Sequence, residues 1–339
     1  MMANNEKALL KLFLQSQEEG HSLTQSTLAS TLGLSSLRIE AALAQLETEG
    51  FEFYRDAQSY RCTAFPKSLH PALIASYLEL AGLELPSLFI LKTIDSTNTE
   101  VARLLNDGAA WPLVVASSQQ TAGRGRRGRA WSSASTNNLY LSAGFKCAWP
   151  NQKLQLFTLW LGLKLCDYLR QATQLPLQMK WPNDIICAHK KIAGMLTEAS
   201  IKGDYTQQLV FGLGLNINSK IEEIPEALRE KASSLYQLSG KEWNIHALTA
   251  ACIRVVLEAY DQFVSGTYLS SLETLWDSYD ALKNNIVRVE QLNQVIIGRA
   301  AGINAQGALR IKLENGQYYA LSAGDVSLSH FYEAAHVGA

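Results

Sequence analysis

The chain has 339 residues, of which 47% are hydrophobic and 18% charged, and its formal net charge is −1. A chain of that length is too long for one ordinary hydrophobic core, which predicts two or three globular domains. The near-neutral net charge excludes a positive potential over the whole protein that would attract nucleic acid or membranes, so any basic function must be local. Five scattered cysteines without CxxC spacing and the lack of a long apolar run predict a cytoplasmic protein with reduced thiols and no membrane span.

Residues 1–65 predict a winged helix-turn-helix. Apolar residues at helical spacing indicate three short helices; Thr24 is the expected N-cap of the second, Gly33 ends it, and Ser35 caps the third. FEFYRDAQSYRCTA then predicts two short strands around a polar turn. Residues 66–86 are bounded by prolines and predict a linker with one helix.

Residues 87–282 predict a mixed α/β domain. The helical patterns are STNTEVARLLNDG, LQLFTLWLGLKLCDYLRQAT and most of 244–280. LQMKWPNDIIC and KKIAGMLTEASI predict a hairpin joined through AHK, and the further strand patterns are SLFILKTI, LVVASSQQ, NNLYLSAGF and QLVFGLGLNIN. The strands follow one another too closely for a purely parallel doubly wound sheet. Residues 283–339 predict a small β-barrel, because short strands alternate there with Gly and Asn turns.

The segment GRGRRGR, residues 123–129, concentrates four arginines and three glycines between two predicted core strands. Glycine costs about 1 kcal/mol per helical position, so neither a strand nor a stable helix is expected. Arginine forks match phosphate oxygens, and glycine lets backbone N–H groups approach them, which predicts a loop that closes over a triphosphate or an adenylate. An RNA-binding segment and a plain solvated loop are the alternatives, although RG-type segments are more often found in tails.

Two further motifs carry candidate polar groups. In KWPNDI, Pro182 must end or bulge a strand, which places Asn183 and Asp184 at a cleft, where Asp184 could bind Mg²⁺; a simple turn is the alternative. In KKIAGM, Lys191 can face a carboxylate or phosphate while Gly194 permits close approach, and Lys190 is expected to be solvated. GLGLN likewise has a small residue at every second position, followed by the polar amide of Asn216.

The remaining candidate ligand-binding residues are one short motif and two single residues. Thr97 with Glu100 predicts a capping box, while the alternative for Ser96–Asn98 is that its hydroxyls and amide bind a polar head group at a helix N-terminus. Gln120 ends a strand and is placed to bind a small polar ligand. Trp131 ends the arginine loop, where it would either cover an adenine face or pack in the core.

Together, DSTN, QTAGRGRRGRAW, NLYLS, KWPNDI, KKIAGML and GLGLNIN, in this order and spacing, resemble the biotin protein ligase family. The match runs over about 87–280 and the small barrel fits. With the winged helix, the chain resembles the bifunctional bacterial ligases that also repress biotin synthesis genes. The resemblance implies a multidomain α/β protein with a class II synthetase-like ligase domain and an SH3-like barrel.

The resemblance also implies roles for individual residues. Lys191, Arg126 and Arg124 would be catalytic, and Asp184 is a candidate Mg²⁺ ligand. The winged helix would contact DNA through Ser35, Ser36, Arg38 and Arg55. The biotin-binding residues would be Ser96, Thr97, Asn98, Gln120, Arg124, Gly125, Arg126, Lys191 and Gly194. The ATP- or adenylate-binding residues would be Gly123, Arg126, Arg127, Trp131, Lys180, Asn183 and Asn216.

The implied reaction has two steps and uses ATP, biotin and Mg²⁺. Biotin carboxylate attacks the α-phosphate of ATP, and a lysine of a biotin carboxyl carrier protein then attacks the resulting adenylate. Charge neutralisation and positioning would dominate catalysis, and no covalent enzyme nucleophile is needed. The adenylate would promote a homodimer that places two winged helices on an operator.

Three alternatives stay open. Residues 1–65 carry five basic and eight acidic residues, a net charge of −3, although phosphate neutralisation supplies most nonspecific DNA affinity. The N-terminal domain would therefore bind an operator well only as a dimer, or would keep its fold without much DNA binding. For the whole chain, the rivals are a lipoate-type ligase and a regulator that binds its ligand without turnover.

Overall fold

The computed structural model describes residues 2–56, 59–133, 135–291 and 294–328, and the predicted multidomain α/β class is confirmed. The parts of the predicted wing turn and barrel that fall on residues 57–58, 292–293 and 329–339 lie outside the described residues. Within the described ranges, no helix combines the length and the apolar character needed to cross a membrane.

Three helices and a two-stranded hairpin form the N-terminal part, as expected. Their core consists of apolar side chains such as Leu9 and Phe13, both fully buried. Thr24 caps the second helix by accepting a hydrogen bond from the Thr27 amide at 3.0 Å, and Gly33 ends that helix with φ of 63°. The elements are α1 (Met2–Glu19), α2 (Gln25–Leu32), α3 (Ser36–Thr48), β1 (Glu52–Arg55) and β2 (Tyr60–Ala64).

The segment expected to be a linker is packed between two cores. Its helix α4 (Pro71–Leu80) contributes Leu73 to the N-terminal core and Ile74 and Leu78 to the central core, and all three side chains are fully buried. The apolar residues of this segment therefore join the cores instead of spacing them. The boundaries 1–65, 66–86, 87–282 and 283–339 stay predictions.

A seven-stranded mixed sheet organises the central part, in the order β3-β4-β5-β9-β8-β7-β6. Only β3 and β4 are parallel neighbours; the other neighbouring strands are antiparallel. The strands are β3 (Ser87–Ile94), β4 (Leu113–Gln120), β5 (Leu139–Pro150), β6 (Gln178–Lys180), β7 (Asp184–Cys187), β8 (Lys190–Lys202) and β9 (Tyr205–Leu215).

Helices cover both faces of this sheet. The short helix α5 packs its apolar side against one face, whereas the long apolar helices α6 and α8 build the main core on the other. Their periodic apolar patterns had predicted all three helices. The helices are α5 (Thr97–Asn106), α6 (Lys153–Thr173), α7 (Leu235–Ser239), α8 (Ile245–Ser265) and α9 (Leu272–Tyr279).

One predicted hairpin is in fact two. Pro182 interrupts the segment expected to be a single strand, so β6 and β7 pair with each other across residues 181–183, and β7 then pairs with β8. A proline has no backbone N–H for the ladder, which explains why the strand ends there. The turn brings Asn183 and the first residue of β7 to the sheet edge.

The C-terminal part is a five-stranded antiparallel sheet in the order β13-β12-β11-β10-β14. Its apolar residues join the main core, and the Gly307 carbonyl accepts hydrogen bonds from Gln155 Nε2 at 2.9 Å and Trp181 Nε1 at 3.0 Å. The sheet is thereby fixed next to the turn between β6 and β7. Its strands are β10 (Ile286–Gln291), β11 (Gln294–Ile303), β12 (Leu309–Lys312), β13 (Tyr318–Leu321) and β14 (Asp325–Leu328).

Leu73→Ala tests whether α4 joins the two cores. Removing this fully buried side chain should lower the free energy of unfolding by about 2–5 kcal/mol, because a cavity is left behind. Leu37→Ala is the matched control: Leu37 is 81% exposed, and its loss should change stability by about 0.5 kcal/mol or less. Urea unfolding of both variants is the measurement, and equal stabilities would show that α4 is only a spacer.

Candidate active site

Two adjacent cavities lie where β8 and β9 meet the arginine loop. The first has a volume of about 150 Å³ and the second about 180 Å³. Ala130, Trp131 and Lys191 line both of them. A ligand that fills both cavities would therefore contact Trp131 and Lys191 near its middle.

A buried polar network forms the inner end of the first cavity. Gln120 Oε1 accepts a hydrogen bond from the Thr97 amide at 2.9 Å, and the Ser142 hydroxyl donates to Asn98 Oδ1 at 2.6 Å and lies 2.7 Å from Thr97 Oγ1. Asn98 Nδ2 donates to Glu198 Oε2 at 2.7 Å. These bonds fix the hydroxyl and amide groups for a polar ligand head.

The predicted capping box is wrong. Ser96, not Thr97, is the N-cap of α5, and its own side chain makes no capping hydrogen bond. Glu100 instead pairs with Arg103 at 2.7 Å, one turn further along the exposed face. Thr97 is turned to Gln120 and Ser142, so its hydroxyl belongs to the cavity rather than to the helix.

The arginine loop forms a compact turn above the first cavity. Its ends meet through an antiparallel bridge between Arg124 and Ala130, and the Gly125 amide donates to the Arg129 carbonyl at 2.7 Å. A single 3₁₀ turn over Arg126–Gly128 is the only helical element within this loop, in keeping with its glycine content. Its mobility without ligand stays a prediction.

Three arginines of the loop line the first cavity, and two of them bond to its walls. Arg124 pairs with Glu198 at 2.8 Å, and Arg126 donates to Asn183 Oδ1 at 3.1 Å. Asn183 is itself fixed because its amide nitrogen donates to the Met195 carbonyl. The loop is thus attached both to β8 and to the turn before β7.

Trp131 lies against the backbone of two strands. A Cβ atom at Gly194 would come within 2.7 Å of the Trp131 ring, and one at Gly214 within 2.6 Å. No larger residue fits either position without moving the indole. The indole Nε1 is buried and has no hydrogen-bond partner among the described residues.

Lys191 joins an acid and an aromatic ring at the boundary between the cavities. Its ammonium lies 2.7 Å from Asp184 Oδ1 and 5.1 Å from the centre of the Trp131 ring. Asp184 is brought there by the hairpin of β7 and β8, which is bulged after Ile185. Lys190, expected to be solvated, is part-buried and donates to the Arg229 carbonyl at 3.0 Å, because residues 220–232 fold back over β8.

The second cavity combines an apolar wall with polar groups. Asn216 lines it and is oriented by a hydrogen bond from Nδ2 to the Ser233 carbonyl at 2.9 Å. Glu223 accepts hydrogen bonds from the Ser135 hydroxyl at 3.1 Å and from the Lys220 amide at 2.7 Å. The apolar wall is formed by Ile224, Pro225 and Leu228.

Most of the residues predicted to bind biotin, the nucleotide or a metal meet in these cavities, but three do not line either one: Gly123, Arg127 and Lys180. The absence of a side chain at Gly123 is explained by packing, since a Cβ there would lie 2.8 Å from the Trp131 carbonyl. The predicted residues that line the first cavity are Ser96, Thr97, Asn98, Gln120, Arg124, Gly125, Arg126, Trp131, Asn183, Asp184, Lys191 and Gly194.

Sequence reasoning missed Glu198 and the loop of residues 219–232 that covers the second cavity. Glu198 lies in a strand pattern with no local signal, although it holds both Asn98 and Arg124. The residues of 219–232 that line the second cavity follow the GLGLN motif without a motif of their own. Arg129 lies in the arginine loop and lines the first cavity, although no role was predicted for it.

Burial raises the pKa of Cys166 and Cys252 to about 12, so neither thiol is ionised near neutral pH. Burial likewise raises the pKa of the other three cysteines. None of the five lines either cavity. A cysteine nucleophile is therefore not supported.

The residues expected to contact DNA lie on the N-terminal helices and hairpin. Ser35 precedes α3, and Ser36 and Arg38 are exposed in its first turn. Arg55, on the first strand of the hairpin, is engaged: its guanidinium pairs with Glu40 at 2.7 Å and with Glu47, both on α3. A phosphate contact by Arg55 would have to replace these ion pairs.

Comparisons with known proteins found two matching family models and several similar relatives. A model of the biotin/lipoate A/B protein ligase family matches residues 90–216, and one of the biotin protein ligase C terminal domain matches 284–329. The bifunctional ligase/repressor BirA of Escherichia coli is 29% identical over 96% of this chain and 98% of its own length. BirA of Salmonella typhimurium is 30% identical over 70% and 73%, respectively.

Solved structures similar to this chain also include biotin protein ligases. The biotin protein ligase from Aquifex aeolicus in complex with biotin and ATP has a TM-score of 0.62 and 28% sequence identity, covering 72% of this chain and 99% of that one. The similarity therefore extends beyond the central sheet, because residues 87–282 alone are a smaller share of the chain.

Gly214→Ala tests the contact with Trp131. The added methyl group should lower the free energy of unfolding by about 1–3 kcal/mol, because the indole must move. In a Trp131→Ala background the same change should cost at least about 1 kcal/mol less, since the ring it would strike is gone. Urea unfolding of the four proteins measures this coupling, and an equal cost in both backgrounds would contradict the packing described.

Proposed function

The chain belongs to the biotin protein ligase family, and we propose that it activates biotin with ATP to biotinyl-5′-AMP and transfers biotin to a lysine of a biotin carboxyl carrier protein. The observation that carries this proposal is the position of Lys191, whose ammonium lies at the boundary of two adjacent cavities. Biotin would occupy the first cavity and the nucleotide the second.

The first cavity suits biotin. Its polar network of Ser96, Thr97, Asn98 and Gln120 would bind the ureido ring, and Gly194 leaves the room in which Lys191 and Trp131 pack against β8. The arginine loop, with Arg124, Gly125 and Arg126, would cover it. The biotin carboxylate would then point to Lys191.

In the first step, a biotin carboxylate oxygen attacks the α-phosphorus of ATP, and pyrophosphate leaves with the electrons of the broken P–O bond. Two anions at 4 Å repel each other by about 4 kcal/mol at an effective dielectric constant of about 20. Lys191 and Arg126 offset that repulsion, and Asp184 positions the ammonium by its ion pair at 2.7 Å.

In the second step, the neutral amine of the carrier lysine attacks the acyl carbon of the adenylate. The amide bond forms, AMP leaves, and the amine loses its proton. The role of the protein is to hold the adenylate and exclude water until the carrier arrives, for which the arginine loop and Trp131 are placed. Asn183 and Asn216 support the nucleotide side.

Mg²⁺ would enter as part of the MgATP substrate. Within the described part of the chain, no group of three or more His, Cys, Asp and Glu could hold a metal ion by itself. Asp184 lines the first cavity, where it is already paired with Lys191, and Glu223 lines the second. This donor set fits an ion bound mainly by phosphate oxygens, with Asp184 as its one protein ligand.

The N-terminal domain supports a second function, adenylate-dependent repression by a homodimer in the cytoplasm. Two relatives over most of the chain are bifunctional ligase/repressors. Ser35, Ser36 and Arg38 would face an operator from the start of α3. Because this domain has a net charge of −3 and Arg55 is paired with acids, a dimer would be needed for tight binding.

Lys191→Ala tests the ligase proposal. The variant should form biotinyl-5′-AMP at least about 100-fold more slowly, because the cation that offsets the two anions is gone, while its fold remains. Lys190→Ala is the control: this neighbouring lysine bonds a carbonyl outside the cavities, so its activity should change little. Mass-spectrometric detection of the adenylate is the measurement, and normal formation by Lys191→Ala would refute the assignment.

Operator binding tests the repressor proposal. A titration of a biotin-operon operator at several salt concentrations should give tight binding only when biotinyl-5′-AMP is present, together with dimer formation in sedimentation. Arg38→Ala should weaken the adenylate-dependent binding without changing adenylate formation. Binding that is equally weak with and without the adenylate would leave the chain a ligase alone.

A further inference from the structure

The second cavity contains a buried hydroxyl that the ligase reaction leaves unexplained. Ser219 is 1% exposed, lines the cavity, and its Oγ has no hydrogen-bond partner among the described residues. An unpaired buried hydroxyl costs about 1–3 kcal/mol, so a native site normally supplies it with a partner. A bound ligand is the partner that the cavity offers.

Hydrogen bonds to its backbone carbonyl fix the position of Ser219. Its carbonyl accepts hydrogen bonds from Ser234 Oγ at 2.6 Å and from Gln237 Nε2 at 3.0 Å. These two bonds hold the backbone at the start of the covering segment 219–228. The hydroxyl is therefore presented by a rigid point rather than by a free loop.

Glu223 lines the same cavity with an oriented carboxylate. One oxygen accepts from the Ser135 hydroxyl and the other from the Lys220 amide, and each keeps a lone pair for a further donor. A carboxylate favours ligand donors and repels ligand carbonyls. The cavity thus offers one fixed acceptor and one unsatisfied hydroxyl.

The proposed reaction implies which part of the nucleotide would meet these groups. The α-phosphate must lie at Lys191, where the two cavities join, if the proposed reaction is right. The base then lies away from that boundary, against the covering segment, whose Ile224, Pro225 and Leu228 form an apolar wall suited to a purine face. Ser219 and Glu223 belong to this segment.

We infer that Ser219 and Glu223 select the base of the nucleotide, a role that rests on the proposed ligase function. The Glu223 carboxylate accepts a hydrogen bond from the 6-amino group of adenine, and the Ser219 hydroxyl donates to a ring nitrogen. A 6-oxo purine would place its carbonyl against the carboxylate, so it is rejected. These residues determine which nucleoside triphosphate enters the reaction.

The experiment compares ATP with ITP, which has a 6-oxo group. Affinities are measured by equilibrium dialysis and turnover by biotin-dependent pyrophosphate release. The wild type should prefer ATP by at least about tenfold, since sites built to hydrogen-bond one substrate group reject an analogue that lacks it. Glu223→Gln should reduce this preference to about threefold or less, because the amide can turn its NH₂ to the 6-oxo group.

Matched variants make the test specific. Glu222→Gln changes the exposed neighbouring acid, which does not line the cavity, and should keep the wild-type preference. Ser219→Ala should raise the dissociation constant for ATP about tenfold and leave that for biotin unchanged. Thermal unfolding verifies that each variant is folded.

Different results would refute the base-recognition role and the ligase function. An ATP preference that Glu223→Gln leaves at the wild-type ratio would overturn the base-recognition role, as would an unchanged ATP affinity in Ser219→Ala. Wild-type protein that binds ATP in preference to ITP but releases no pyrophosphate with biotin would refute the ligase proposal and uphold base recognition.

Discussion

The indole of Trp131 lies against the bare backbone of Gly194 and Gly214, and much of the site depends on this contact. The ring can occupy that place only because neither strand carries a side chain there. Lying between the two cavities, it gives Lys191 an aromatic face 5.1 Å from its ammonium and closes the base of the arginine loop. The two glycines thus help to position the Lys191 ammonium through Trp131. The ammonium in turn determines where the biotin carboxylate and the α-phosphate can meet.

Two cations of the site are paired with acids before any substrate binds. Arg124 is paired with Glu198, and Lys191 with Asp184. These pairs hold the cations in position without the repulsion that an unpaired cluster would cause. In the proposed reaction, anionic groups of the substrates approach cations that are already oriented, so little reorganisation is needed at the moment of attack. A nearly neutral chain can therefore contain a strongly cationic site.

The sequence predicted the parts of the fold whose signals are local. The Thr24 cap, the apolar periodicity of the long helices and the Gly-rich loop all act within a few residues, and the sequence predicts each of them. The capping box predicted at Thr97 is wrong, because Thr97 bonds Gln120 from a distant strand. The role of α4 was not, because its prolines indicate a linker while the cores it joins are formed by distant segments. The position of Glu198 and the covering segment with Ser219 and Glu223 depend on which strands become neighbours, which no local pattern records.

The measurement that tests the central claim most directly is the exchange of labelled pyrophosphate into ATP, without any carrier protein. If biotin carboxylate attacks the α-phosphate within these cavities, exchange will occur with biotin present and will stop when biotin is omitted. Exchange that does not depend on biotin, or none at all from protein that binds both biotin and ATP, would contradict the account.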